Sequence, residues 1–321
     1  MSLSIQIAGA TFTKQVSSLS LPSRTGLVLE MFPRVDKASS IINYANPAVP
    51  LLQVSSVLSI ANTTPGSGGT NGTFTWTASG EGGTGATGSF TVAGGVITGT
   101  PTVTNGGRDY TSPPTIDFSA SAGLTGAVLT ATLAAPTYNA NGAVLRGAVS
   151  NLNGAGFDTG ITPSADATFI MIHRPQVLIS NGVLQGAGPT NGQASGNNFG
   201  FRQFGSNVHF NGGDGISNPT SLRVTPTAGT IMFNTGRLIP GGFPLFSHYT
   251  AGVRTDIASA VASAAPVSKQ YLCGPSLGWT AASQTEVLYF AIFNRSLTNA
   301  ELDAANVSLK ALFAYRGVTL P

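Results

Sequence analysis

The chain has few residues suited to acid–base or metal chemistry, and their spacing speaks against both. Its glutamates are Glu30, Glu81, Glu286 and Glu301. Glycoside hydrolysis needs two carboxyl groups facing each other across one bond. On a sandwich strand that means two acids at alternating positions, and no pair of these glutamates is so spaced. Glu301 sits three residues after Thr298, where it would cap a helix instead. A pair assembled from aspartates distant in sequence stays open. His173, His209 and His248 are isolated from one another, and a single cysteine, Cys273, cannot supply a thiolate cage. Zinc needs three or four converging ligands, so no metal site is expected.

Two glycine patterns imitate catalytic motifs without their context. Gly274-Pro275-Ser276-Leu277-Gly278 has the spacing of a nucleophile elbow, but a strand follows where that motif needs a helix. Gly80, Gly82 and Gly85 match a dinucleotide fingerprint, again with no helix behind them. Both read as turns, and the expectation is a protein that is not an enzyme.

Sugar binding asks for something else: an aromatic face to cover a pyranose, beside amides or carboxylates for its hydroxyls. Phe210, Asn211, Asp214, Tyr249 and Trp279 are the candidates. The competing reading puts the large rings in the core and the others in turns. Asn211-Gly212-Gly213-Asp214-Gly215 is first of all hairpin-turn chemistry, although its oxygens could serve calcium. No other cofactor is expected.

Composition narrows the partners. Charged residues make up 8% of 321, against roughly 25% in an average soluble domain, so the surface must be mostly Ser, Thr, Asn, Gly and Ala. Such a surface suits sugar hydroxyls or packed protein neighbours. The net charge of +3 is spread singly along the chain, with no basic patch to neutralise a run of phosphates, so nucleic acid is not an expected partner. No stretch reaches the roughly 18 apolar residues of a membrane span, and residues 1–14 lack an export signal.

Strands must position whatever site exists. Thr73-Phe74-Thr75-Trp76-Thr77 and Ser89-Phe90-Thr91-Val92 alternate polar and apolar residues with period two. Ala167 to Ile172 and Val287 to Phe293 are apolar at nearly every position, as in strands covered on both faces. After Thr298, Leu302, Ala305, Leu309, Leu312 and Phe313 share one face of a helix that Gly317 ends. Gly and Thr dominate from 66 to 134. The reading is therefore all-β with one C-terminal helix: an arm or first strand at 1–26, a main sandwich of 27–65 and 135–321, and an inserted Gly-rich β module at 66–134.

The stretch from Glu286 through Asn294-Arg295-Ser296-Leu297 to Leu302 resembles the closing strand, turn and capped helix of concanavalin A-like, laminin-G-like jelly rolls. Gly156 to Ile161 followed by Asp166 to Ile170 resembles an early strand pair of that family. Asn105-Gly106-Gly107-Arg108-Asp109-Tyr110 is similar to a Gly-rich module of bacteriophage tail and fibre proteins, with Arg108-Asp109 where Ser-Gly is usual. Together these resemblances imply a bacteriophage virion structural protein of tail, baseplate, fibre or capsid decoration. It would assemble in the host cytoplasm against other virion proteins, form a homo-oligomer with a trimer favoured, and touch host-surface glycans through an outward jelly roll. A polysaccharide depolymerase or a bacterial surface adhesin is the alternative.

Overall fold

The computed structural model describes residues 21–118, 122–146, 154–177, 182–183, 185–186, 199–204, 207–212, 223–258, 266, 269–273 and 284–321. The chain opens with β1 (Leu27–Met31), a one-turn helix α1 (Lys37–Ser40) and β2 (Leu52–Ser55). The Gly/Thr-rich part follows as β3 (Val57–Thr64), β4 (Gly72–Ser79), β5 (Thr84–Ala93), β6 (Val96–Arg108), β7 (Thr115–Phe118) and β8 (Val128–Leu133). Next come β9 (Thr137–Tyr138), β10 (Ala143–Arg146), β11 (Ala155–Asp158), β12 (Ala167–Val177), β13 (Gly182–Val183) and β14 (Gln185–Gly186). They are followed by β15 (Phe199–Phe204), β16 (Asn207–Gly212), β17 (Arg223–Val224) and β18 (Met232–Leu238). The last elements are β19 (Leu245–Thr250), β20 (Val253–Ala258), β21 (Tyr271–Cys273), β22 (Gln284–Phe293) and α2 (Asn299–Tyr315).

These strands form an antiparallel sandwich. A large sheet runs β14-β21-β11-β10-β22-β12-β18-β19-β20, with β1 also on β22, β2 on β11 and β9 on β10. A four-stranded sheet, β13-β15-β16-β17, is the second layer. Phe169, Met171, Phe246 and Phe290 belong to one core with Phe201 and Phe210 of the smaller sheet. On the opposite face of the large sheet, Ile170, Ile172, Tyr249, Leu288 and Tyr289 pack with Leu302, Leu309 and Phe313 of α2. The neighbours β12 and β22 therefore lie between two layers, which is why nearly every position in them is apolar. Thr298 and Glu301 complete the capping box at the head of α2.

The glycine-rich strands build their own sheets, β6-β5-β4-β7 and β3-β8, around Trp76, Phe90, Val92, Ile97 and Tyr110. Residues 57–64, grouped by composition with the main sandwich, instead pair with β8 and supply Val57 and Ile60 to this core. Chain composition misplaces β3 because its Gly/Thr bias begins only after the strand has ended. Asp109 takes the left-handed backbone, φ 64°, that a glycine would otherwise occupy. Asp tolerates that region better than most residues. The turn buries Tyr110, whose hydroxyl accepts from Ala86 N at 3.3 Å and whose backbone bridges to Ser55 of β2. It leaves the Asp109 side chain partly exposed beside β21.

Candidate functional site at the seam of β11, β21 and the module

Strand pairing sets Asp158 of β11 opposite Tyr271 of β21. The Asp158 carboxylate is 7% exposed at its side chain and both of its oxygens are engaged: Oδ1 accepts from Gly160 N at 2.8 Å and Oδ2 from the Lys269 ammonium. Lys269, about half exposed, also holds Nζ 5.3 Å from the centre of the Tyr271 ring. Burial alone would lower the Lys269 pKa, but the hydrogen bond and charge of Asp158 outweigh it and the net shift is upward. The Tyr271 phenol is pushed up first by burial and then by the carboxylates of Asp109 and Asp158. The site thus presents a half-buried aromatic ring with a protonated hydroxyl, a fixed ammonium and two carboxylates. Those groups match the hydrogen-bonding needs of a polyhydroxylated ligand.

A second polar constellation crosses the sandwich core. Asn234 Nδ2 donates to His173 Nε2 at 3.0 Å, His173 Nδ1 meets Thr285 Oγ1 at 3.1 Å, and His248 Nδ1 donates to Asn234 Oδ1 at 2.9 Å. This ladder joins β22, β12, β18 and β19. Burial lowers the pKa of both imidazoles, that of His173 to about 3, with the charge of His248 a smaller contribution there. His173 and His248, isolated in sequence, are therefore partners in space. Among the described residues no group of three His, Cys, Asp or Glu side chains is arranged to hold a metal ion.

The residues chosen from sequence for sugar contact fare differently. Phe210 is fully buried, its ring 5.2 Å from Phe201 and 5.8 Å from Phe169, because β16 turns it toward the large sheet. Tyr249 is buried under α2, 4.8 Å from Phe233, and its hydroxyl donates to Asp303 at 3.0 Å. Both are corrected to core residues: a ring covered on every side cannot receive a pyranose. Asn211 lies in β16 opposite Gly200, and Asp214 and Trp279 fall outside the described residues. Tyr271, Lys269, Asp158 and Asp109 were missed. Their sequence-level traces are Asp158 in the Gly156 to Ile161 stretch and Asp109 in the Asn105 to Tyr110 stretch, and nothing local links Asp158 to a lysine 111 residues away.

No family model and no curated protein matches this chain. Solved structures do match. A Trypanosoma rangeli sialidase mutant displaying trans-sialidase activity is 17% identical, with TM-score 0.39 over 55% of this chain and 28% of that one. A botulinum neurotoxin type C structure, described for its interaction with two ganglioside molecules, is 10% identical, with TM-score 0.38 over 52% of this chain and 42% of that one. The botulinum neurotoxin serotype D ligand binding domain, solved with N-acetylneuraminic acid, is 11% identical, with TM-score 0.37 over 53% and 42%. The chain spans less than half the length of each. The likeness transfers no residue role. None of the three is a bacteriophage virion protein. The expectation that the chain is not an enzyme is corrected here: the matching structures include sialidases, which are enzymes, alongside toxin binding domains, so enzymatic status stands open.

Proposed function

We propose that this chain is a glycan-binding β-sandwich protein that contacts sugar at the Tyr271 seam. The observation that carries the reading is the convergence of the half-buried Tyr271 ring, the Asp158–Lys269 ion pair and Asp109 from the inserted module. Low charge and a surface rich in neutral hydroxyls and amides support the same reading, since such groups exchange hydrogen bonds with sugar hydroxyls at small desolvation cost. The test is an array of neutral and acidic glycans probed with the full chain, followed by titration of the best ligand. Tyr271→Ala should weaken binding at least tenfold and Lys269→Met severalfold. Equal affinity in wild type and both variants would sink the site.

The setting we infer is a virion appendage or capsid decoration in which the protein works as a homo-oligomer beside other virion proteins. What supports it is the similarity of Asn105 to Tyr110 to a fibre module, together with the surface composition. Detection of the chain in purified particles by mass spectrometry, and light scattering of the isolated protein, test the two parts separately. A second reading, depolymerisation, is favoured by the two carboxylates that both act on Tyr271, the minimum equipment for glycoside hydrolysis. Release of reducing ends from a bound glycan, abolished by Asp158→Asn, would assign it.

A further inference from the structure

Away from the Tyr271 seam, on the α2 side of the large sheet, two arginines stand together with neither of them in an ion pair among the described residues. Arg34 donates from Nη2 to the Tyr44 hydroxyl at 3.0 Å, while its Nε is buried and has no hydrogen-bond partner. Arg316, at the C-terminal end of α2, places its guanidinium 5.1 Å from the centre of the Phe313 ring and donates from Nη2 to Ala140 O at 3.3 Å. Phe32 joins the two, with its ring 5.6 Å from Tyr44 and 6.5 Å from Phe313.

The nearby acids are already engaged. Glu30 is held by Arg24 at 2.7 Å and by the Tyr289 hydroxyl at 3.2 Å. Asp36 accepts from Ser39 N at 2.7 Å and Ser39 Oγ at 2.8 Å as the cap of α1. Among the described residues neither Arg34 nor Arg316 forms an ion pair. Burial lowers the Arg316 pKa and the charge of Arg34 lowers it further, so each cation is close enough to feel the other. Tyr44 accepts a hydrogen bond from Arg34, which leaves its own proton to donate.

We propose that Arg34, Arg316 and the Tyr44 hydroxyl form a binding site for a ligand carboxylate. A guanidinium offers its donors in a planar fork that matches the two oxygens of that group. Two forks and a phenol are assembled around an aromatic wall, and the carboxylate that feels Arg34, Asp36, is bound to Ser39, so the cluster keeps a positive charge that a ligand carboxylate would balance.

The site is independent of the Tyr271 seam, so its test is separate. Arginine Nε–Hε resonances of the wild-type full chain are followed by NMR while sodium glucuronate, glucose or sodium chloride is added at matched ionic strength. Glucuronate should shift the Arg34 and Arg316 signals saturably, and glucose and chloride should not. Arg316→Gln should weaken glucuronate binding at least tenfold, Arg316→Lys less, and Tyr44→Phe severalfold while leaving the fold's melting curve intact. Shifts of equal size with chloride, no saturable shift with glucuronate, or unchanged affinity in Tyr44→Phe and Arg316→Gln would overturn the proposal. The wild-type titration decides the matter even where a variant fails to fold.

Discussion

Asn234 stands between His173 and His248, donating to one through Nδ2 and accepting from the other through Oδ1. One amide therefore sets both tautomers: His173 must leave Nε2 bare and His248 must carry its proton on Nδ1. The buried His173 ring is kept neutral by this arrangement.

A pH dependence follows. The His173 pKa falls from 6.5 to about 3 on folding, because burial disfavours the cation and His248 adds to this. Below pH 6.5 the unfolded chain binds a proton that the native chain does not. Stability is thus complete above that pH and drains away as pH falls toward 3, by about 1.4 kcal/mol per unit for this group. His248, also lowered by burial, acts in the same direction. Glu30 acts in the opposite one: burial raises its pKa, so protonation favours the native state. Urea titrations at pH 7 and pH 5 should differ by about 2 kcal/mol through His173. The difference should shrink in His173→Gln, and an identical slope in the variant would refute the assignment.

Gly236 is required by Phe210. A methyl group at 236 would lie 2.0 Å from the ring, which is itself wedged between Phe169 and Phe201. Gly236→Ala should cost at least about 1–3 kcal/mol by overpacking. Adding Phe210→Leu should recover part of it, and strictly additive losses in chemical denaturation would show that the two positions are not in contact.

Leu309 tests the docking of α2. It is 3% exposed in the core shared by the helix and the large sheet. Truncation to Ala should lower the unfolding free energy by about 2–5 kcal/mol. A loss under half of one kcal/mol would mean that the helix face is free.

Removal of the module is tested most simply where its ends meet. Ala134 N donates to Ser56 O at 2.9 Å, and Ser56 N donates to Gly154 O at 3.0 Å. Replacing residues 57–133 by a short Gly/Ser link should leave a protein that melts cooperatively. Loss of the cooperative transition in calorimetry would show that the sandwich depends on the module.

Asp109→Gly should move stability and binding in opposite directions. Glycine adopts φ 64° at no steric cost, so a gain of about 0.5–1 kcal/mol is expected. The same change removes one carboxylate from the Tyr271 seam and should weaken glycan binding. A variant that gains stability and keeps full affinity would exclude Asp109 from the site.

Local pattern determined much of this fold. Period-two alternation marked β4 and β5, unbroken apolar runs marked β12 and β22, and Thr298 with Glu301 marked the start of α2, because each signal is written within a few consecutive residues. Even the Asp109 turn is legible as a departure from a glycine-rich pattern. What the sequence could not assign was the neighbour across each strand. Whether Phe210 and Tyr249 meet solvent or core depends on which layer covers their face, and the smaller sheet and α2 decide that. The His173–Asn234–His248 ladder and the Asp158–Lys269–Tyr271 seam arise from antiparallel pairing between segments tens to more than a hundred residues apart. Periodicity reports how a strand divides its own two faces, but only the packed sheet fixes which strand lies beside it.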